Sequence, residues 1–147
     1  MAITTNAITN SFKEDLLQGT QVFAAGAGNT FKLALYTSAA TIGADTTSYA
    51  VGIDGQVGDT GTYAAGGGAL VTALVSVNGT TAFVDFDDLS FTGVTLTARG
   101  ALIYNDTQAG DPSVCVLDFG GDKTATAGTF TIQFPAANDT QAIIRIS

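Results

Sequence analysis

From Ala69 to the C-terminus the apolar residues fall in short runs that alternate with polar ones and are punctuated by Gly, Asn and Asp. A period of two places successive side chains on opposite faces of a strand, so this half of the chain has little choice but to form sheet. Residues 70–77 and 81–86 flank Asn78-Gly79, and that dipeptide between apolar runs is a strong hairpin signal because both residues tolerate positive φ. Further strands are expected at 92–99, 101–105, 114–119, 129–134 and 142–146. Upstream, Phe31, Leu33 and Leu35 line one side of another period-two run. Regularly spaced short strands with no helical pattern between them predict two packed antiparallel sheets. The expected fold is all-β: an antiparallel β-sandwich, jelly-roll-like or a flattened barrel, with one short N-terminal helix.

The helix is expected near the start. In Asn10-Ser11-Phe12-Lys13-Glu14, Ser11 stands as N-cap with Glu14 three residues later, the spacing of a reciprocal capping box. Gly19 is the natural stop. Phe12, Leu16 and Leu17 share a face while Lys13, Glu14 and Asp15 turn away. Two amphipathic turns are marginal alone in water, so the helix must lie on apolar surface of this domain or of a neighbour. Ala24-Ala25-Gly26-Ala27-Gly28 reads as a flexible connection. It divides an N-terminal arm, residues 1–28, from a single sandwich domain at 29–147. Within that domain residues 37–68 carry few bulky apolar side chains beyond Ile42, Tyr49, Val51, Ile53, Val57 and Tyr63. Loops this long in compact domains usually have a function or are anchored by a partner, so the segment is read either as an interaction surface or as a poorly ordered surface loop.

The 147 residues suit one domain with its own core. Only 12% are charged, about half the usual 25%, and the surface is therefore made largely of Thr, Ser, Asn, Gln, Gly and Ala. The net charge of −8 is the wrong sign for phosphates or anionic lipid, so neither nucleic acid nor a membrane is an expected partner. No basic and apolar leader and no unbroken membrane-length apolar run occurs in the sequence, which predicts a soluble product made in the cytoplasm. With no His and only Cys115, Ser-His-Asp and Cys-His catalysis, disulfides and multi-cysteine metal sites are removed. No enzyme activity, cofactor or metal is expected.

The remaining motifs read structurally. Asp85, Asp87 and Asp88 form the densest carboxylate group, but one short acidic stretch cannot surround a calcium ion. Asp54 and Asp59 fit a turn. Gly120-Gly121-Asp122-Lys123-Thr124 departs from a phosphate-binding loop by placing Asp122 where Gly is required, and is expected as a turn between strands. Cys115, between Val114 and Val116, is a small core residue. Arg99 and Arg145 are expected on solvated outer strand faces, the alternative being a pair with a carboxylate or an anchor for a protein contact. A carboxylate-pair glycosidase is disfavoured because there is no Trp to form a sugar platform.

Several blocks together resemble a family of small tailed-bacteriophage virion proteins. They are Ala7-Ile8-Thr9-Asn10-Ser11-Phe12-Lys13 with Leu16-Leu17, Thr30-Phe31-Lys32-Leu33-Ala34-Leu35-Tyr36-Thr37, Ala98-Arg99-Gly100-Ala101-Leu102-Ile103-Tyr104-Asn105, Leu117-Asp118-Phe119-Gly120-Gly121-Asp122-Lys123, Phe130-Thr131-Ile132-Gln133-Phe134-Pro135 and Ala142-Ile143-Ile144-Arg145-Ile146. The resemblance covers nearly the whole chain and is least characteristic at 44–68. It implies a particle component and supplies no catalytic residues. The expectation is a capsid decoration (cement) protein on the capsid exterior, bound to the major capsid protein and self-associating on the lattice, where repetition makes weak contacts collectively strong. On this reading residues 1–19 lie across a neighbouring subunit. Ile3, Ile8, Phe12, Leu16 and Leu17 would be its apolar anchors, with Tyr49 and Tyr63 of the long loop as further partner contacts. The alternative is a tail- or fibre-associated module that binds a host-surface glycan or an adaptor.

Overall fold

The computed structural model describes residues 3, 5–50 and 54–147; Val51 and Ile53 of the long loop lie outside them. Its elements, in chain order, are β1 (Ala7–Ile8), α1 (Asn10–Gln18), β2 (Phe31–Tyr36), β3 (Gly68–Leu70), β4 (Thr72–Asn78), β5 (Thr81–Phe86), β6 (Leu89–Asn105), β7 (Ser113–Ile132) and β8 (Ile144–Ile146). Every pairing is antiparallel. One sheet has the order β1-β7-β6-β2-β3 and the other β4-β5-β8. The protein is therefore all-β and sandwich-like, and because neither sheet closes on itself it is not a barrel.

Two expected strand breaks are not breaks. Residues 92–99 and 101–105 merge in β6, and 114–119 and 129–134 merge in β7. Gly120-Gly121-Asp122 is a bulge, since β7 carries extra residues between the pairs Ala98↔Lys123 and Gly100↔Asp118. Gly120 takes φ 74, and its N–H donates to Asp118 Oδ1 at 2.9 Å. A bulge draws on the same chemistry as a turn: glycine for positive φ and a carboxylate for stray amides. The hairpin between β4 and β5 forms as expected, shifted by one residue. Asn78 pairs with Thr81, so the loop is Gly79-Thr80, with Gly79 at φ 57.

The helix starts earlier than the capping-box reading places it. Thr9 is the N-cap and its side chain makes no cap bond. Its hydroxyl instead donates to the Val114 carbonyl at 3.1 Å, because pairing of Ala7 with Val116 and Ile8 with Cys115 draws it over β7. Ser11 lies inside the helix, 3.3 Å from the Ser113 hydroxyl. Gly19 ends the helix in the left-handed region, as expected.

The large sheet is apolar on both faces, and each face has its own cover. Phe31, Leu33, Leu35, Ala101, Ile103 and Cys115 pack with Phe12 and with Val84, Phe86 and Ile144 of the small sheet. On the other parity, Ala34, Tyr36, Leu102, Tyr104 and Val116 are covered by Ile3, Ala40, Ile42 and Tyr49. The long segment after β2 is thus a second packing layer. It also closes the edge of β2 beyond β3: Val57 N–H donates to the Leu35 carbonyl at 2.9 Å and Thr37 N–H to the Gly55 carbonyl at 2.7 Å.

Candidate interaction surface

The residues expected to grip a partner divide sharply by burial. Ile3, Phe12, Tyr49 and Tyr63 are buried in the protein's own core, and the expectation that they anchor a neighbouring subunit is corrected accordingly. Ile3 sits against Gly100, where a Cβ would come within 2.8 Å of its Cδ1. Tyr49 stacks on Tyr104 with centroids 4.3 Å apart, and its Oη accepts a hydrogen bond from Gln56 Nε2 at 2.6 Å. Tyr63 Oη accepts the Leu35 N–H at 2.9 Å, completing the β2 edge. Burial pushes the Tyr63 hydroxyl up to about 12. Ile8 and Leu16 are half-buried against the main core. Leu17 alone of the seven stands out in solvent, 91% exposed.

The N-terminal arm is likewise part of the domain. Phe23 stacks on Phe31 at 4.4 Å, and the Ala-Gly stretch is a tight turn in which Gly28 N–H donates to the Ala24 carbonyl at 2.7 Å. Asn105 Nδ2, 2.9 Å from both Gln21 Oε1 and Asn29 Oδ1, fastens both ends of that turn to β6. This polar clasp is why a glycine-rich segment is held in one conformation.

The apolar surface lies elsewhere. An open groove of about 150 Å³ runs between α1 and the small sheet, lined by Phe12, Leu16, Phe23, Val75, Val84 and Ile144 among others. Its rim is uncovered: Val75, Val77 and Ile146 are 54%, 66% and 53% exposed. Val77 stands opposite Ala82, itself a lining residue. Alternation by itself assigns these valines to an ordinary sandwich strand. The signal that marks them is that Val71, Leu74, Val75 and Val77 are apolar at both parities, the pattern of a strand covered on both faces, yet all four are exposed.

The titratable residues form no chemical centre. Among the described residues no group of three or more His, Cys, Asp or Glu side chains is placed to hold a metal ion. Asp88 Oδ1 accepts the Phe134 N–H at 2.8 Å. Asp59 Oδ1 accepts the Ala65 N–H at 2.7 Å, as a turn carboxylate should. Asp85 is fully buried, with Oδ1 accepting the Phe86 N–H at 2.9 Å and Oδ2 without a hydrogen-bond partner. Burial raises its pKa above the ordinary 3.8, against the pull of backbone amides. Cys115 is buried and its thiol is pushed up to about 12, far from the reactive thiolate range. Arg99 is not on a solvated outer face: half-buried, it pairs with Asp118 at 3.1 Å. Arg145 Nη1 donates to the Thr140 carbonyl at 2.7 Å, in an exposed bond. No helix among the described residues is long and apolar enough to cross a membrane.

No protein-family model, curated protein or solved structure matches this chain.

Proposed function

We propose that this protein is a capsid decoration (cement) protein of a tailed bacteriophage, bound to the major capsid protein on the outside of the shell. The observation that carries the reading is the apolar groove beside α1, with its uncovered rim, on a surface otherwise polar and poor in charge. Apolar surface of this kind marks a protein–protein contact. It gains support from the likeness of the sequence blocks to small virion proteins. The acidic balance also suits a position facing water, away from the packaged DNA.

Residues 1–19 do not act as a detachable clamp in this reading, because Ile3 and Phe12 belong to the core. The contact is assigned to the groove between α1 and the small sheet, with Ile146 lining it and Leu17 exposed on α1. Quantitative mass spectrometry of purified virions tests the role. A copy number near that of the major capsid protein, or a simple lattice fraction of it such as about a third, is expected. A ratio of a few per cent would overturn it in favour of a tail or fibre component, and absence from the particle would overturn it outright. The surface is tested with Leu17→Asp and Ile146→Asp: both side chains are exposed, so folding should persist while binding to shells is lost.

A further inference from the structure

We infer that the outer edge of β4 is a self-association surface, where β4 of a second copy of this chain adds antiparallel about a twofold axis and joins two three-stranded sheets into one of six strands. Sheet edges present unpaired N–H and C=O groups, and proteins usually blunt them by shortness, charge or proline. Of the four strands that end the two sheets, three are short: β1 has two residues, and β3 and β8 have three each; the stretch of β7 that β1 leaves unpaired is blunted by Asp118, Asp122 and Lys123. The fourth, β4, has seven. Its outer side has no strand neighbour among the described residues, it contains neither charge nor proline, and Leu74, Val75 and Val77 are exposed along it. An edge of this length and composition is built for another strand.

Electrostatics selects the occupant. A chain of net charge −8 repels its own copies, so two can meet closely only where neither presents charge. No charged residue occurs between Asp59 and Asp85, and β4 lies inside that interval. Along β4 itself no like charges meet when it pairs with a second copy; the carboxylate hydrogen-bonded to the strand is that of Asp139, which accepts from Asn78 Nδ2 at the strand's far end at 3.0 Å. A twofold axis normal to the sheet keeps equivalent faces together, so Val75 and Val77 of both copies form one apolar band on the groove side. The contact is isologous and closed. It leaves free only the short edges and the charged outer side of β7, so assembly stops at two. This inference rests on the strand edge and not on the particle role, and it stands or falls independently of it.

Analytical ultracentrifugation of the full chain tests it. The expected mass is twice the 14.8 kDa of the chain, falling to that of one chain in Leu74→Lys/Ser76→Lys, which places lysines of the two copies side by side. Far-UV circular dichroism should be unchanged in the variant. Hydrogen exchange of the unmodified protein supplies a measurement that needs no variant: amides of Thr72–Asn78 should exchange more slowly as protein concentration rises. A monomer at all concentrations, a dimer that persists in the folded lysine variant, or β4 exchange independent of concentration would each overturn the inference. The first and third outcomes would point to a strand from a different protein as the occupant.

Discussion

At the residue scale, two buried polar groups lack partners and each makes a distinct prediction. The Tyr36 hydroxyl is buried with no hydrogen bond, and desolvation raises its pKa. Removing an unsatisfied group while keeping the ring should leave stability unchanged or improve it by about 1 kcal/mol, so Tyr36→Phe should not lower the urea midpoint. Tyr63→Phe is the contrasting case. It leaves the Leu35 N–H without its acceptor and should cost about 1–3 kcal/mol by the same assay. Asp85 predicts a pH dependence. Its folded pKa lies above 3.8, so the folded state binds the extra proton, and the contribution is most favourable below 3.8 and is lost as pH rises through the folded value. Asp85→Asn keeps an oxygen for the Phe86 N–H and removes the charge. The melting temperature of the variant minus that of the wild type should therefore increase from pH 3 to pH 7; a flat difference would show that the carboxylate carries no such penalty.

At the element scale, α1 and β1 are structural members of the sandwich. Phe12 is 2% exposed within the main core, and loss of a buried aromatic side chain alone costs about 3–5 kcal/mol. A chain lacking residues 1–19 should therefore lose its cooperative thermal transition, and a stable truncated domain would contradict this packing. The long β6–β7 ribbon shows how far local sequence carries. Gly120-Gly121-Asp122 and Asn78-Gly79 are both glycine-containing polar breaks between strands. One becomes a bulge within β7 and the other borders a hairpin loop. The two differ in the partner available to the next residues: after Gly79 the chain turns back to pair with β4, whereas after Gly120 it goes on along β6, which supplies ladder partners from Lys123 to Ile132.

At the scale of the whole molecule, the segment after β2 covers one face of the large sheet and closes an edge, so the layers should unfold together. With four Tyr and no Trp, near-ultraviolet dichroism reports mainly on Tyr36, Tyr49 and Tyr104 in the outer layer and on Tyr63 in the inner one. Its thermal transition should coincide with the far-ultraviolet one, as for a single cooperative unit; an earlier tyrosine transition would mean that the outer layer melts separately. The sequence by itself determined the strand content, the main hairpin, the single short helix and its glycine stop, because each follows from local period or from a positive-φ requirement. It also placed Cys115 and Asp59 correctly, since a small apolar residue in an apolar run and a carboxylate in a glycine turn have few alternatives. Tertiary structure alone decided which apolar residues remain outside. Ile3, Phe12, Tyr49 and Tyr63 read as surface anchors and are core; Val75 and Val77 read only as members of a hairpin strand and are exposed. Alternation separates the two faces of a strand, but whether a face is covered depends on which distant segment packs there. Here that was settled by the long segment closing over one side of the large sheet, while the distal end of the small sheet was left without a cover.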